Sequence, residues 1–347
     1  MARYVLIIER EKPEITLHTG SNKTVFHFIK EKIMNNFKQI IKGSVIALAC
    51  AGIMGNAQAG ALATSTLTMS NFQLLHSNGT VYSNTDLSGL VANSSANIAA
   101  TYNGTSQTGS YGPTPLPNND LNPVCVGSCS TITNNSLLTN PPQTAPINGN
   151  FVAADQNEQN SPIAGLGSSV GANVQSAAIA NLSGQSLGPN TASSTNQLSS
   201  TWTFTLAQHD SMTFSFNTSI YQESYLSPGA QFPSSAKTSS QFNFTITDLN
   251  TGAILFSFAD SGLNGQTSRN APYVGTTLLP GETLGNSINQ TWFVTSSILP
   301  VGDVLQLDGT LKTTAAAIFV PEPGALALMG IGLVGLVVGS RRSFKAS

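Results

Sequence analysis

The sequence predicts an all-β protein with an antiparallel β-sandwich or jelly-roll-like domain. Apolar and hydroxyl side chains alternate in the run WTFTL at 202–206. Period-two alternation gives a strand one apolar and one polar face. The pattern recurs at 212–217, 242–246 and 254–258, and the segment 248–252 forms a glycine-containing hairpin turn. Strands joined by such turns are typical of sandwiches and jelly rolls.

The remaining elements are assigned in chain order. A first strand is predicted at 71–75. Residues 86–200 are rich in Asn, Ser, Thr, Gly and Pro, which predicts long, low-complexity polar loops. Within them, 172–182 fits either a short helix or a strand of small residues, because periodicity does not decide. The last two strands are predicted at 292–298 and 304–314.

The N-terminal part is predicted to be removed during export. Residues 1–33 are too polar and too long to belong to an export signal, so we interpret them as a mis-assigned or disordered extension. A signal peptide, with its helical apolar core, is predicted at 34–59. The pair Ala57 and Ala59 fits signal peptidase, which would leave Gly60 as the mature terminus.

The mature part, residues 60–319, has an unusual charge balance. It contains eleven acidic but only three basic residues. So few Lys and Arg residues exclude a nucleic-acid-binding surface. No catalytic motif is recognisable, and only His76 and His209 could serve as imidazole bases. We therefore predict a non-enzymatic domain with no cofactor and no metal centre.

Three weaker possibilities stay open in this domain. His209 and Asp210 are adjacent in a predicted turn, where we expect His209 to be solvated. Loop oxygens including Asp248 or Asp260 would suit calcium. Aromatic side chains in loop-like segments would suit stacking on sugar rings: Tyr221, Tyr225 and Tyr273.

The mature part keeps two cysteines, Cys125 and Cys129. Because an exported protein meets an oxidising compartment, we predict that they form a disulfide. The loop that they close is short, so the expected gain in stability is modest. Cys50 lies within the signal peptide, and the apolar run before it is too short for a typical lipoprotein signal.

The C-terminal segment, 320–347, has three parts. Its motif is Pro321, Glu322 and Pro323, and the uncharged stretch that follows, 323–340, would form a transmembrane helix of about 27 Å. Arg341 and Arg342 come directly after it and should stay cytoplasmic. An ordinary C-terminal membrane anchor, which is not a sorting signal, would have a similar sequence.

This tripartite segment resembles the PEP-CTERM sorting signal of Gram-negative bacteria. The resemblance implies that Pro321, Glu322, Pro323, Arg341 and Arg342 are recognised by exosortase, a membrane-embedded protease. It also implies a precursor held transiently in the inner membrane and then passed to the cell surface or extracellular matrix. We therefore expect a secreted, structural protein associated with exopolysaccharide and biofilm. A lectin-like carbohydrate-binding module is the alternative, and a secreted hydrolase is a third, weaker one.

Overall fold

A computed structural model describes seven stretches of the chain. They are residues 60–115, 119–139, 149–166, 169–183, 189–280, 282–283 and 287–320. The chain divides into two compact units, 1–56 and 57–347, and every described residue belongs to the second. The predicted signal peptide and the C-terminal segment from Pro321 onward lie outside the described residues. Within these seven stretches, no helix is both long and apolar enough to cross a bilayer.

The described residues are almost entirely β-structure, with one helical turn at Ser136–Thr139. Fourteen strands follow one another along the chain: β1 Ala61–Leu75, β2 Leu87–Tyr102, β3 Thr105–Pro115, β4 Asn119–Gly127, β5 Phe151–Gln159, β6 Ala172–Leu182, β7 Asn190–Leu206, β8 Asp210–Leu226, β9 Ser235–Asp248, β10 Ile254–Phe258, β11 Gln266–Asn270, β12 Gly275–Leu278, β13 Ile288–Leu299 and β14 Val304–Phe319.

The strands form two antiparallel sheets that pack face to face. The first sheet has the order β12-β8-β1-β6-β5-β4, and β13 also pairs with β8. The second has the order β10-β9-β14-β7-β2-β3, and β11 also pairs with β9. Phe72 of the first sheet stacks on Phe244 of the second, with ring centroids 4.9 Å apart. The two-sheet antiparallel sandwich is thus confirmed, whereas jelly-roll connectivity stays a prediction.

Alternation of apolar and polar residues explains the core. Along β14, residues at alternate positions are buried between the sheets, and those in between are partly exposed. β7 and β8 behave in the same way where Phe204 and Phe214 point inward. The inner faces therefore form an aromatic core around these residues, as the period-two runs predicted, and a second buried cluster made mostly of alanine side chains.

The prediction of long loops over 86–200 was wrong. Strands β2 to β7 occupy most of this region, and the segment 172–182 is a strand with the predicted bounds. Their inward-facing side chains are mostly small, such as Ala100 and Ala178, or polar and hydrogen-bonded, such as Ser194. Prolines lie in β3 and β4, the edge strands, where a missing N–H is tolerated.

The antiparallel pairing places the two ends of the domain at one end of the sandwich. We call this end the terminal pole and define it by Gly60, Val320, and the turns 102–105, 226–235 and 270–275. The start of β1 pairs with the ends of β6 and β8 there, and the end of β14 pairs with the starts of β7 and β9. The opposite end, the distal pole, contains the turns 75–87, 206–210, 248–254 and 299–304.

Candidate functional site

Val320, the last described residue of the chain, is held by the loop between β8 and β9, residues 227–234. The Val320 N–H donates to Ser234 Oγ at 2.9 Å, and Ser234 Oγ lies 3.3 Å from the Val320 carbonyl oxygen. Gln231 N–H donates to the same carbonyl at 3.2 Å. Ser234 is buried. The point where the chain leaves β14 is therefore fixed.

The same loop also holds the first residue of the domain. Ser227 N–H donates to the Gly60 carbonyl at 2.9 Å. In return, Gly60 N–H donates to the Ser227 hydroxyl. One loop of eight residues therefore binds both the N-terminal and the C-terminal ends of the sandwich.

An apolar cluster lies beneath this loop. Phe319, Ala61 and Leu226 are fully buried in it, and Ala230 of the loop and Ala236 of β9 are part of it. β1 and β14 are central strands of the two sheets, so each end of the domain continues directly from the core. We call the set of Gly60, the loop 227–234 and Val320 the terminal junction.

Of the residues predicted to direct processing, only Gly60 is described. Ala57, Ala59, Pro321, Glu322, Pro323, Arg341 and Arg342 lie outside the described residues. Cys125 and Cys129 are joined by a disulfide, and their Cα atoms are 5.9 Å apart. The disulfide lies at the end of β4, and Cys125 packs against a cluster that contains Phe151 and Leu137.

A polar cluster at the distal pole was missed by the sequence analysis. His76 Nδ1 lies 2.6 Å from Asp210 Oδ2, and His76 Nε2 lies 3.4 Å from Asp86 Oδ2. Tyr82 donates to Asp210 at 2.9 Å and stacks on the His76 ring, with centroids 3.7 Å apart. His76 and Asp210 are 134 residues apart in the chain, so no local pattern could have revealed the contact.

Asp210 accepts hydrogen bonds from several neighbouring groups of this cluster. Burial would raise the pKa of Asp210, but hydrogen bonds from Ser77, His76 and Tyr82 hold the pKa well below its usual range. Both imidazole nitrogens of His76 face carboxylates, those of Asp210 and Asp86. His209, which was considered with Asp210, is exposed, and its Nδ1 lies 3.2 Å from the Leu299 carbonyl oxygen instead.

The candidate sugar-stacking tyrosines do not form a common surface. Tyr221 is fully buried, and its hydroxyl donates to Glu223 at 2.7 Å. Tyr225 packs beside the cluster under the disulfide segment. Both lie in strand β8 rather than in loops, which corrects the expectation. Tyr273 alone of the three is exposed, in the turn before β12.

The two carboxylates considered for calcium each cap a turn. Asp248 accepts from the Asn250 N–H at 2.8 Å and the Thr251 hydroxyl at 2.6 Å. Asp260 accepts from the Gly262 N–H at 2.7 Å. Among the described residues, no group of three or more His, Cys, Asp or Glu side chains is placed to hold a metal ion.

Asp155 and Glu158 are buried in the first sheet, and Glu282 lies half-buried beside it. Burial raises the pKa of Asp155 to about 7 and that of Glu282 to about 7. Burial also raises the pKa of Glu158, which accepts from the Ser200 hydroxyl at 3.1 Å. Asp155 and Glu158 lie three residues apart on β5, so their side chains project from opposite faces of that strand. We assign none of the three carboxyl groups a catalytic role.

A polar groove lies on the second sheet between β10 and β11. Its volume is about 570 Å³, and amide and hydroxyl side chains line it, including Gln241, Asn243 and Gln266. No charged side chain lines the groove. It can therefore offer both donors and acceptors to an uncharged ligand.

A comparison with protein families matches only the end of the chain. The model of the PEP-CTERM protein-sorting motif matches residues 319–342, beginning at the last residue of β14. The chain therefore carries a PEP-CTERM sorting signal, and the predicted resemblance is confirmed. This signal implies export, processing by exosortase and sorting to the cell surface. No curated protein matches the chain.

Proposed function

We propose that the protein is a non-enzymatic component of the cell surface or extracellular matrix, associated with exopolysaccharide in biofilm. One observation carries the proposal: the sorting motif at 319–342 begins where the central strand β14 ends. The sandwich is thus the exported domain, and the motif is the signal that directs its sorting. The terminal junction presents the motif from a fixed point on the folded domain.

The route to the surface includes two processing steps. Signal peptidase cleaves after Ala59, and exosortase acts on the segment from Pro321 onward. Between these steps the uncharged stretch 323–340 holds the precursor in the inner membrane, because Arg341 and Arg342 resist translocation. The two ends of the domain lie at one pole, which is compatible with attachment of both ends to one bilayer.

The outer face of the second sheet supports association with polysaccharide. A row of uncharged polar side chains crosses four strands, from Ser95 through Ser199 and Thr310 to Asn243. All four are partly exposed. Hydroxyl and amide groups both donate and accept hydrogen bonds, as the hydroxyl groups of sugars require.

The test of sorting is fractionation of cells that express altered motifs. Replacing Pro321, Glu322 and Pro323 together with Ala should leave uncut protein in the inner membrane. A matched control, Pro300→Ala at the distal pole, should reach the surface like the wild type. Mass spectrometry of the mature C-terminus then locates the cut. Normal surface delivery of the triple variant would show that the motif does not direct sorting.

A second candidate function is recognition of a specific carbohydrate, favoured by the uncharged groove on the second sheet. Gln241→Ala combined with Gln266→Ala should abolish saturable binding on a glycan array. Gln197→Ala, outside the groove, is the control. If the two proteins bind equally well, the groove is not the binding site, and association with polysaccharide rests on the flat outer face.

A further inference from the structure

Two aromatic side chains project from the terminal pole. Phe232, in the loop of the terminal junction, is 83% exposed, and Tyr273, in the turn between β11 and β12, is 73% exposed. The two turns are neighbours, because the Ala271 N–H donates to the Ser234 carbonyl at 3.0 Å. Val274, next to Tyr273, is also exposed. The pole thus has an exposed apolar tip of Phe232, Tyr273 and Val274.

This apolar tip belongs to the loops that bind the ends of the domain. Val320 is hydrogen-bonded to Gln231, the residue directly before Phe232. The uncharged stretch 323–340 begins three residues after Val320, and three extended residues reach at most about 10 Å. When that stretch lies in a bilayer, the terminal pole must therefore lie at the bilayer surface.

Charge distinguishes the two poles. Residues 226–236, 270–276 and 318–320 contain no acidic residue. Two of the three basic residues of the mature part, Lys237 and Arg269, lie on the paired strands β9 and β11 just behind the apolar tip. The distal pole also exposes apolar side chains, but its turns contain acidic residues: Asp86, Asp210, Asp248 and Asp303.

We infer that the terminal pole is a membrane-contact surface, with Phe232, Tyr273 and Val274 inserted at the lipid headgroup level of the bilayer that holds the precursor. Aromatic rings favour this depth, and the exposed Lys237 side chain can reach lipid phosphates from just above it. The acidic distal pole would be repelled by the same phosphates. This inference rests on the proposed membrane-held precursor. It adds that the folded domain itself touches the lipid.

The test uses the full chain reconstituted into phosphatidylcholine vesicles. In the variant Phe232→Trp, tryptophan emission should shift to shorter wavelength and be quenched by lipids brominated on their acyl chains. Val301→Trp, at the distal pole, is the matched control and should be quenched no more than the wild type, whose Trp202 and Trp292 give the background. Circular dichroism of each variant checks that the sandwich is folded.

Flotation of the vesicles separates the two proposals. If the chain floats with the vesicles but Phe232→Trp is quenched no more than Val301→Trp, the contact surface is refuted and the membrane-held precursor stands. If the chain does not float, both are refuted. If a second variant, Tyr273→Trp, is quenched as Phe232→Trp is, the contact includes both turns, as inferred.

Discussion

Truncation of Phe72 to Ala should be the most destabilising single change in the aromatic core. Phe72 is fully buried on β1, the central strand of the first sheet. Its ring centroid lies 4.9 Å from that of Phe244, 6.0 Å from Phe216, and 6.3 Å from both Phe214 and Trp202. The ring therefore has aromatic partners from both sheets, and its loss removes contacts that the neighbours cannot easily replace.

The magnitude follows from these contacts. A buried Phe→Ala change costs about 3–5 kcal/mol, and aromatic pairs add about 0.5–1.5 kcal/mol beyond buried area. A cavity of about 20 Å³ already borders Phe72 and would be enlarged. We expect the free energy of unfolding to fall by about 4 kcal/mol, which lowers Tm by roughly 10 °C in a domain of this size.

The assay is equilibrium unfolding of the exported protein in urea, followed by circular dichroism. Phe293→Ala is the matched control, because Phe293 lies on β13 with 69% of its surface exposed. It should change the unfolding free energy by less than about 0.5 kcal/mol. Equal effects of the two substitutions would refute the assignment of Phe72 to a close-packed core between the sheets.

Three other outcomes are expected. Because folding lowers the pKa of Asp210, the ionised carboxylate stabilises the fold above its unfolded pKa of about 3.9, and this stabilisation is lost as the pH falls further. The Tm of Asp210→Asn should therefore fall less steeply than that of the wild type as the pH is lowered below about 4. Parallel curves of Tm against pH would contradict this. Asp155, with its pKa raised to about 7, binds its proton more tightly when folded, so stability should fall as pH rises from about 4 to 7. Asp155→Asn should therefore exceed the wild type in Tm above neutral pH, whereas Asp303→Asn should not. Replacing both Cys125 and Cys129 with Ala should lower the free energy of unfolding by about 2 kcal/mol, because the disulfide closes a loop of only five residues. If urea unfolding shows a loss as large as that of Phe72→Ala, the disulfide does more than close this loop.

The sequence was informative where large apolar residues alternate with Thr and Ser. In β7, β8 and β9 the inward positions hold Trp or Phe, so the period is visible at once. It was uninformative where inward positions hold Ala, Ser or Asn, because composition then resembles that of a loop. β5 is the extreme case, since its consecutive polar residues from Asp155 to Glu158 are all buried. That strand has the second sheet on one face and the helical turn with Leu137 on the other.

The candidate site was only partly predictable for a different reason. The motif from Pro321 to Pro323 is local in sequence and could be recognised by itself. The terminal junction depends on backbone groups and on two serines, Ser227 and Ser234, that meet the chain ends only in the folded sandwich. The His76–Asp210 contact likewise follows from the antiparallel pairing of β1 with β8. Such long-range contacts have no signature in residue order.

Because β14 ends at Phe319, a cut anywhere in 321–347 removes no residue from the strands that the structure describes. Exosortase can therefore receive cargo whose fourteen described strands are already formed. β14 has sixteen residues, and at a rise of about 3.3 Å per residue it separates the two poles by roughly 50 Å. In the membrane-held precursor that we propose, the distal pole would therefore lie roughly 50 Å from the lipid before the cut is made.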